Sequence, residues 1–335
     1  ASDVYKRQML DRRVVTFGDK LCHNMEGDKL QSTLPHYAYL RIADGCSNKC
    51  SYCAIPLIRG KMRSRKMENI IEEAKKFAEN GVKELVIVAQ DVTAYGIDLY
   101  KKYALPDLLK ELCKIDGIKW IRLLYCYPER MTDELIETIK TEDKVLNYID
   151  IPIQHCNKEI LRNMYRGGDE QSLRELFAKL RREIPGVVLR TTLITGFPGE
   201  TEEQFSELAE FVNDIKFERL GCFAYSAEED TPAAEMPDQV DEGERQRRAD
   251  IITSEQEIRM GEYYAGMVGN TYEVVCEGFD RYSDMYFGRS MHFAPEIDGM
   301  IYFTSAKDKS SLTIGDFVNV KITDVLENNL LGERV

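Results

Sequence analysis

The alternation of strand-like and helix-like segments between residues 37 and 225 constrains the fold of this chain more than any other feature. Short apolar runs such as Lys83–Ala89 alternate with segments such as Lys66–Asn80, whose apolar residues recur at helical spacing. A strand followed by a helix, repeated in this way, is typical of parallel β/α winding. The predicted strands are Tyr37–Ala43, Lys83–Ala89, Lys119–Tyr125, Tyr148–Ile153, Val187–Ile194 and Arg219–Tyr225.

The number of these units predicts an open barrel rather than a closed one. Six units occupy roughly 190 residues, whereas a closed eightfold barrel usually needs about 250 residues. The predicted fold class is therefore α/β, with a partial six-unit (β/α) barrel of the TIM type. A doubly wound sheet is the alternative, although no GxGxxG follows the first strand. Beyond the sixth strand, Glu242–Tyr264 is predicted to be a long helix that lies across the barrel.

The pattern changes after Gly269, where short alternating runs are separated by Gly and Asp. These runs predict a small C-terminal antiparallel β-barrel, five-stranded like an OB-fold. At the other end of the chain the first 35 residues show no clear period, and Val14–Phe17 is predicted to be a short strand. The C-terminal runs are Thr271–Cys276, Met285–Arg289, Met300–Phe303 and Phe317–Val325.

Three cysteines, Cys46, Cys50 and Cys53, follow the first predicted strand with the spacing CxxxCxxC. This spacing lets three thiolates converge on one iron–sulfur cluster and leaves one iron open to a substrate or cofactor. A zinc site with a distant fourth ligand such as His36 is the alternative, although structural zinc more often uses paired CxxC knuckles. The chain has nine cysteines and no secretory signal in its sequence, which favours metal ligation over disulfides.

The charge balance restricts the partners. Lys and Arg number 45 against 58 Asp and Glu, which gives a net charge of −13 and a pI near 5.0. Phosphate backbones repel such a chain unless it carries a basic patch, so nucleic acid is not expected as a partner. No apolar run approaches the roughly 20 residues that a membrane span requires. A cytoplasmic location without membrane contact is therefore expected.

The cysteine motif resembles that of the radical S-adenosylmethionine (SAM) superfamily, in which an aromatic residue, here Tyr52, precedes the third cysteine. The resemblance makes Tyr52 a candidate cofactor-binding residue. The resemblance implies that Cys46, Cys50 and Cys53 hold a 4Fe–4S cluster and that SAM binds to its open iron. One electron then cleaves SAM to a 5′-deoxyadenosyl radical, and the protein positions the cofactor. The fold of that superfamily, a partial six-unit β/α barrel, agrees with the count of units.

Further motifs resemble those of the methylthiotransferases over nearly the whole chain from Tyr37. That family begins with a domain holding a second 4Fe–4S cluster for sulfur delivery and ends in a small β-barrel called TRAM. The resemblance implies a linker or remnant of a truncated N-terminal domain at residues 1–35, a radical SAM core at 36–267 and a TRAM domain at 268–335. The motifs are GCSNKCSYCAIPLIRG at 45–60, IPIQH at 151–155, MYRGG at 164–168, RTTLITGFPGET at 190–201 and YSAEEDTPAA at 225–234.

Two branches of that family compete. The tRNA-modifying, MiaB-like branch reads GQNVNSY after the second strand and SHP after the third, whereas this chain reads AQDVTAYG at 89–96 and LYCYP at 124–128. Both segments resemble the RimO type, which methylthiolates the β-carbon of an aspartate in ribosomal protein twelve of the small subunit. Residues 268–335 carry six Lys and Arg against eleven Asp and Glu, and an acidic barrel suits a basic ribosomal protein better than tRNA.

The resemblance also implies an electron donor such as flavodoxin or ferredoxin. The preferred hypothesis is therefore an aspartate methylthiotransferase, and the second is a tRNA adenosine methylthiotransferase. A third hypothesis, from another class, is a binding module that docks a ribosomal protein and performs no chemistry.

Candidate SAM-binding residues follow the predicted strands, because β/α barrels place their sites at the carboxyl ends of the strands. Gln90 and Asp91 follow the second strand, and each is either a contact of SAM or an ordinary loop cap. Gln154 and His155 end the fourth strand, where the histidine is either a site residue or a hydrogen-bonded rim residue. Arg190 on the fifth strand pairs either with the SAM carboxylate or with a structural Asp or Glu.

Three smaller features complete the prediction. Gly196 belongs to a tight GFPG turn that allows close approach of the backbone to adenine. The basic run from Arg59 to Lys66 is either a solvated segment or a surface that attracts the target aspartate. The remaining cysteines are scattered and are expected to be mostly buried small hydrophobic residues: Cys22, Cys113, Cys126, Cys156, Cys222 and Cys276.

Overall fold

The computed structural model describes residues 26–27, 31–304 and 311–335, so Cys22 and the strand predicted at Val14–Phe17 lie outside the described residues. The strands are β1 (Tyr37–Arg41), β2 (Ala43–Asp44), β3 (Arg63–Ser64), β4 (Glu84–Val88), β5 (Trp120–Leu123), β6 (Val145–Asp150), β7 (Val188–Thr195), β8 (Arg219–Ala224), β9 (Thr271–Asp280), β10 (Met285–Arg289), β11 (Ile301–Thr304), β12 (Phe317–Leu326) and β13 (Asn329–Arg334). The α-helices are α1 (Ile55–Arg59), α2 (Met67–Glu79), α3 (Ile97–Tyr100), α4 (Leu105–Cys113), α5 (Asp133–Thr141), α6 (Lys158–Asn163), α7 (Glu170–Glu183), α8 (Glu202–Ile215) and α9 (Glu242–Met267).

Six strands form one parallel sheet in the order β1-β4-β5-β6-β7-β8. Successive side chains of a strand point to opposite faces of a sheet. Leu85 and Ile87 of β4 therefore pack against the helices, in the same core as Ile70 and Phe77 of α2, whereas Val86 lies in a separate cluster on the other face. The predicted partial β/α barrel is confirmed.

Helices α5 to α9 each begin at a residue whose side chain accepts from a backbone N–H of the first turn. In α8 the Thr201 hydroxyl accepts from Gln204 N at 3.3 Å, and the Gln204 side chain accepts from Thr201 N at 3.0 Å, which forms a capping box. The long helix α9 packs against β8 and β7 at one edge of the sheet. Within the described ranges, no helix combines the length and apolar character needed to cross a membrane.

The C-terminal strands close into a barrel in the order β10-β11-β13-β12-β9. The predicted runs supply four of these strands, and the fifth, β13, was not among them. β13 reads NLLGER, so only two adjacent leucines mark it, and the alternation that identifies a half-buried strand is missing. Its pairing with β11 is parallel, while the other pairings in the barrel are antiparallel.

The C-terminal barrel packs on the face of the sheet that the helices leave open. Val86 and Tyr148 of the sheet share a buried cluster with Val275 of β9. Trp120 at the start of β5 meets Phe317 edge to face, with ring centroids 4.8 Å apart. These contacts cover the amino-terminal part of the inner face. The carboxyl ends of the strands project beyond them and form the site described next.

Candidate functional site at the carboxyl ends of the strands

A cavity of about 580 Å³ lies at the carboxyl ends of the parallel strands. Its wall combines the ends of β1, β4, β5, β6 and β7 with the loop that carries the three cysteines. This volume is within the range of ligand pockets, about 300–1,000 Å³. A groove of about 670 Å³ runs between α2 and α4 on the outer surface, away from the strand ends where β/α barrels place their sites.

The cysteine loop is fixed on both sides. Gly45 has φ +75°, and a Cβ there would lie 2.7 Å from the Gly60 carbonyl oxygen, so only glycine fits. The same carbonyl accepts from Cys46 N at 3.1 Å. On the opposite side, Ser51 N donates to the Met164 carbonyl at 3.0 Å. The loop is therefore held against α1 and α6 before any ligand binds.

Cys46, Cys50 and Cys53 all line the cavity. Within the part of the chain that the structure describes, no three His, Cys, Asp or Glu side chains come together closely enough to hold one metal ion. A zinc ion draws its ligands to a single point, with Zn–S bonds of about 2.3 Å. The donor chemistry of this wall, three thiols lining one cavity, suits an iron–sulfur cluster.

Burial at this wall favours the protonated form of two of the three thiols. Burial raises the pKa of Cys46 and of Cys53. Thiolates are the form that binds metal, so loading the site requires the loss of these protons.

Tyr127, which follows β5, lies next to Cys50. Its hydroxyl lies 3.7 Å from Cys50 Sγ. The guanidinium carbons of Arg166 and Arg130 lie 4.1 and 4.7 Å from the centroid of its ring. Arg166 also donates to the Tyr52 hydroxyl at 3.4 Å. Sequence reasoning did not single out Tyr127, Arg130 or Arg166, although Arg166 lies inside the MYRGG motif.

Among the predicted SAM-binding residues, Tyr52, Gln90 and Gln154 line the cavity. The Gln90 Oε1 atom is buried and has no hydrogen-bond partner among the described residues. Gln154 has φ +70°, and its backbone is held by a bond from its N–H to the Thr192 carbonyl at 2.9 Å. An unpaired buried carbonyl oxygen in a cavity wall fits a ligand that donates a hydrogen bond to it.

Comparison with known proteins agrees with this geometry. A family model for the radical SAM superfamily matches residues 40–212, and one for the TRAM domain matches residues 268–335. The ribosomal protein uS12 methylthiotransferase RimO of Caldanaerobacter subterraneus subsp. tengcongensis is 48% identical over 332 residues, which cover 99% of this chain and 75% of that protein. The chain belongs to the RimO family of radical SAM methylthiotransferases.

A second RimO relative, the uS12 methylthiotransferase of Clostridium botulinum strain Hall, is 50% identical over 307 residues, 92% of this chain and 68% of that protein. The prediction of the RimO type over the MiaB-like branch is confirmed. Among solved structures, the radical SAM enzyme coproporphyrinogen III oxidase (HemN) of Escherichia coli matches with a TM-score of 0.51 and 18% identity. The match covers 70% of this chain and 54% of that one, and it shows a shared fold.

Membership of the RimO family gives the cavity its cofactors, a 4Fe–4S cluster and SAM, and the residues present fit them. Three thiols on one wall match the three protein ligands of the cluster. His36, the distant ligand considered for zinc, instead bonds Glu277 through Nε2 at 2.9 Å. It precedes β1, whereas the cysteine loop follows that strand, so the two lie at opposite ends of the sheet.

Asp91 is adjacent to Gln90 but is not among the described residues that line the cavity. Its side chain caps the turn that follows, accepting from Ala94 N at 3.1 Å and from the Thr93 hydroxyl at 2.6 Å. It also accepts from Arg130 at 2.5 Å and from Asn48 at 3.0 Å. These bonds correspond to the loop-cap alternative, and they tie the cysteine loop to the turn after β5.

His155 also points away from the cavity. Its Nδ1 accepts from the backbone N–H groups of Cys156 and Asn157 at 3.0 and 2.9 Å. The proton therefore resides on Nε2, which lies 3.6 Å from the Glu200 carboxylate. The ring is fully buried, so the structure has it as a hydrogen-bonded rim residue.

Arg190 and Gly196 make protein contacts outside the cavity wall in the described chain. Arg190 donates to the buried Asp150 carboxylate at 2.7 Å, the structural pairing that was one of its two predicted partners. Gly196 has φ +68°, and a Cβ there would lie 2.4 Å from Arg245 Cγ. The close approach that this glycine allows is therefore to α9.

The three arginines of the basic run after the cysteine loop are paired with carboxylates. Arg59 and Arg63 both lie 3.1 Å from Asp44. Arg65 is buried, pairs with Glu73 at 2.6 Å and donates to the carbonyl of Arg41 at 2.8 Å. These contacts brace the end of β1 and the loop, while Lys61 and Lys66 of the same run are exposed.

Proposed function

We propose that this chain is the radical SAM methylthiotransferase that inserts a methylthio group at the β-carbon of an aspartate in ribosomal protein uS12. The observation that carries the proposal is the shared wall of Cys46, Cys50 and Cys53 in one cavity at the strand ends. The RimO names of relatives with about half their residues identical support it. A cavity of about 580 Å³ has room for more than a lone side chain.

Each part of the wall has a separate task. Cys46, Cys50 and Cys53 hold the cluster, which with bound SAM supplies the one-electron cleavage of SAM. Gln90 accepts a hydrogen bond from SAM through its unpaired Oε1, and Gln154 contributes a second polar contact from the same cavity wall. The C-terminal barrel closes the inner face of the sheet from below, which keeps water from reaching the reacting atoms by that route.

The partners follow from charge and redox chemistry. The C-terminal barrel carries six Lys and Arg against eleven Asp and Glu over residues 268–335, which favours a basic ribosomal protein as substrate. An electron donor such as flavodoxin or ferredoxin reduces the cluster. The chain does not match 25–32% of the length of these RimO relatives. The second 4Fe–4S cluster for sulfur delivery, which the family resemblance implies, would lie in an additional domain.

The test uses the protein with its cluster reconstituted anaerobically, reduced in the presence of SAM and uS12 that carries deuterium on the β-carbon of its aspartates. Transfer of deuterium into 5′-deoxyadenosine, measured by mass spectrometry, is expected. Deuterium-free 5′-deoxyadenosine with uS12, together with turnover stimulated by tRNA, would establish the MiaB-like alternative. If no 5′-deoxyadenosine forms with either substrate, the remaining hypothesis is a binding module that performs no chemistry.

A further inference from the structure

Arg41 is the last residue of β1 and lines the cavity. Tyr37 and Tyr39 of the same strand belong to the inner face, where their hydroxyls donate to Glu296 of the C-terminal barrel at 2.8 and 3.1 Å. Because side chains alternate along a strand, Arg41 continues this row one step further toward the carboxyl ends. It pairs in register with Val88, two residues before Gln90.

The Arg41 guanidinium has no hydrogen-bond or ion-pair partner among the residues that the structure describes, although the side chain is half-buried. The other arginines of the inner face have carboxylates: Arg122 lies 2.7 Å from Glu84, and Arg190 lies 2.7 Å from Asp150. The second arginine of the cavity wall, Arg166, donates to the Pro152 carbonyl at 2.7 Å and stacks on Tyr127.

A partly desolvated cation without an anion is unfavourable unless a ligand supplies the negative charge. The chain fixes the backbone that carries this cation, since Arg65 donates to the Arg41 backbone carbonyl at 2.8 Å. A guanidinium presents two parallel N–H groups and binds carboxylates in bidentate geometry. The cavity wall therefore presents a guanidinium that can bind a carboxylate.

We propose that Arg41 binds a carboxylate inside the cavity, and that this carboxylate is the side chain of the target aspartate. The second part rests on the proposed function. In aspartate the carboxylate is bonded directly to the β-carbon, so two hydrogen bonds from Arg41 to this carboxylate fix the position of the reacting carbon. The same bidentate hydrogen bonding selects aspartate over asparagine, because the side-chain amide of asparagine has one acceptor oxygen and no charge. The aminoacyl carboxylate of SAM has the same chemistry and is the other possible source.

The experiment compares the reconstituted wild-type protein with Arg41→Met and Arg41→Lys. The control is Lys61→Met, which removes an exposed cation next to the cysteine loop. Two dissociation constants are measured without reductant: that of SAM by calorimetry, and that of fluorescently labelled uS12 by anisotropy with SAM present. Iron content and unfolding midpoint verify that each variant folds and loads its cluster.

We expect Arg41→Met to weaken uS12 binding by about tenfold to a hundredfold, Arg41→Lys to weaken it less, and SAM binding and the control to stay unchanged. Changing the target aspartate of uS12 to asparagine weakens binding to wild type by a similar factor and has little further effect in Arg41→Met. If Arg41→Met weakens SAM binding instead, the carboxylate is that of SAM. Unchanged affinity for both ligands would overturn the proposal.

The proposed function and this inference can fail separately. Wild type and Arg41→Met could both transfer deuterium from uS12 and bind uS12 and SAM with equal affinity. That result would exclude a role for Arg41 and would still support the proposed function. If wild type transfers no deuterium and its affinity for SAM depends on Arg41, the aspartate of uS12 is excluded as the substrate. Arg41 would then bind the carboxylate of SAM.

Discussion

Arg289 of the C-terminal barrel reaches the inner face of the sheet and donates to the Glu84 carboxylate at 2.8 Å, with both side chains about 1% exposed. The other oxygen of Glu84 accepts from Arg122 at 2.7 Å. Burial raises the pKa of Glu84, but Arg289 and Arg122 outweigh it and lower the pKa to about 2. One carboxylate thus bridges two arginines across the contact between the sheet and the barrel, and Arg289 also pairs with Glu277 at 2.7 Å.

Replacing Glu84 by Gln is expected to destabilise the protein by about 3–5 kcal/mol, because it leaves the fully buried Arg122 without its counter-ion. The matched control is Glu273→Gln, which removes the ion pair between Glu273 and Lys119 across the same contact. The two charged atoms of this pair are 2.5 Å apart, and both side chains are 40–44% exposed. The cost of this replacement is expected to be below about 1 kcal/mol. Urea unfolding measures both, and equal effects would contradict the importance of the buried pair.

The same pair predicts a pH dependence. A carboxyl group whose pKa is lowered on folding contributes stability above its unfolded pKa, here near 4.5, and loses that contribution as the pH falls through about 2. The difference in unfolding free energy between wild type and Glu84→Gln should therefore be constant above about pH 5 and shrink below pH 4.5. A difference that grows on acidification would contradict this assignment.

The sequence was sufficient for the parts of this protein that are encoded locally. The cysteine spacing, the helix caps and the strand–helix alternation each depend on residues near one another in the chain. The roles of Asp91 and His155 were left open because neighbouring residues at a strand end face different ways, and only the packing of Arg130 or Glu200 decides which. Arg41 was not recognised, since an unpaired charge is visible only once all its neighbours are known.

The cysteine wall predicts which thiols bind iron. Cys50→Ala is expected to abolish the brown iron–sulfur absorbance of the reconstituted protein and its reductive cleavage of SAM, because two remaining thiols do not hold the cluster. Cys222→Ala is the control, since Cys222 packs against the helix-facing core of the sheet. Iron analysis and the visible spectrum are the measurements. Normal iron content in Cys50→Ala would exclude that thiol as a ligand.

Replacing Gln90 tests the SAM site, because it is expected to lower SAM affinity without lowering the stability of the protein. The Gln90 Oε1 is buried and unpaired, so Gln90→Leu should leave the unfolding free energy unchanged or raise it slightly. SAM affinity should nevertheless fall by about tenfold, since one hydrogen bond to the ligand is lost. Gln256→Leu is the matched control: its Oε1 is also buried and unpaired, but its amide donates to the Phe217 carbonyl at 3.1 Å. That variant should lose stability and keep its SAM affinity.

Tyr127 is placed to tune the cluster through Cys50. With the thiol deprotonated by iron, the Tyr127 hydroxyl, 3.7 Å from Cys50 Sγ, becomes the donor of a hydrogen bond to the sulfur. Such bonds stabilise the reduced, more negative cluster and raise its reduction potential. Tyr127→Phe keeps the ring between Arg130 and Arg166 and removes only the donor.

The reduction potential of the cluster in Tyr127→Phe is therefore expected to shift to a more negative value, with iron content unchanged, in a redox titration followed by electron paramagnetic resonance. Tyr125→Phe serves as the control, because Tyr125 also lines the cavity but its hydroxyl has no bond to a cysteine in the described chain. An unchanged potential in Tyr127→Phe would mean that the hydroxyl does not donate to the cluster ligand. A shift of equal size in Tyr125→Phe would instead trace the effect to general polarity of the cavity.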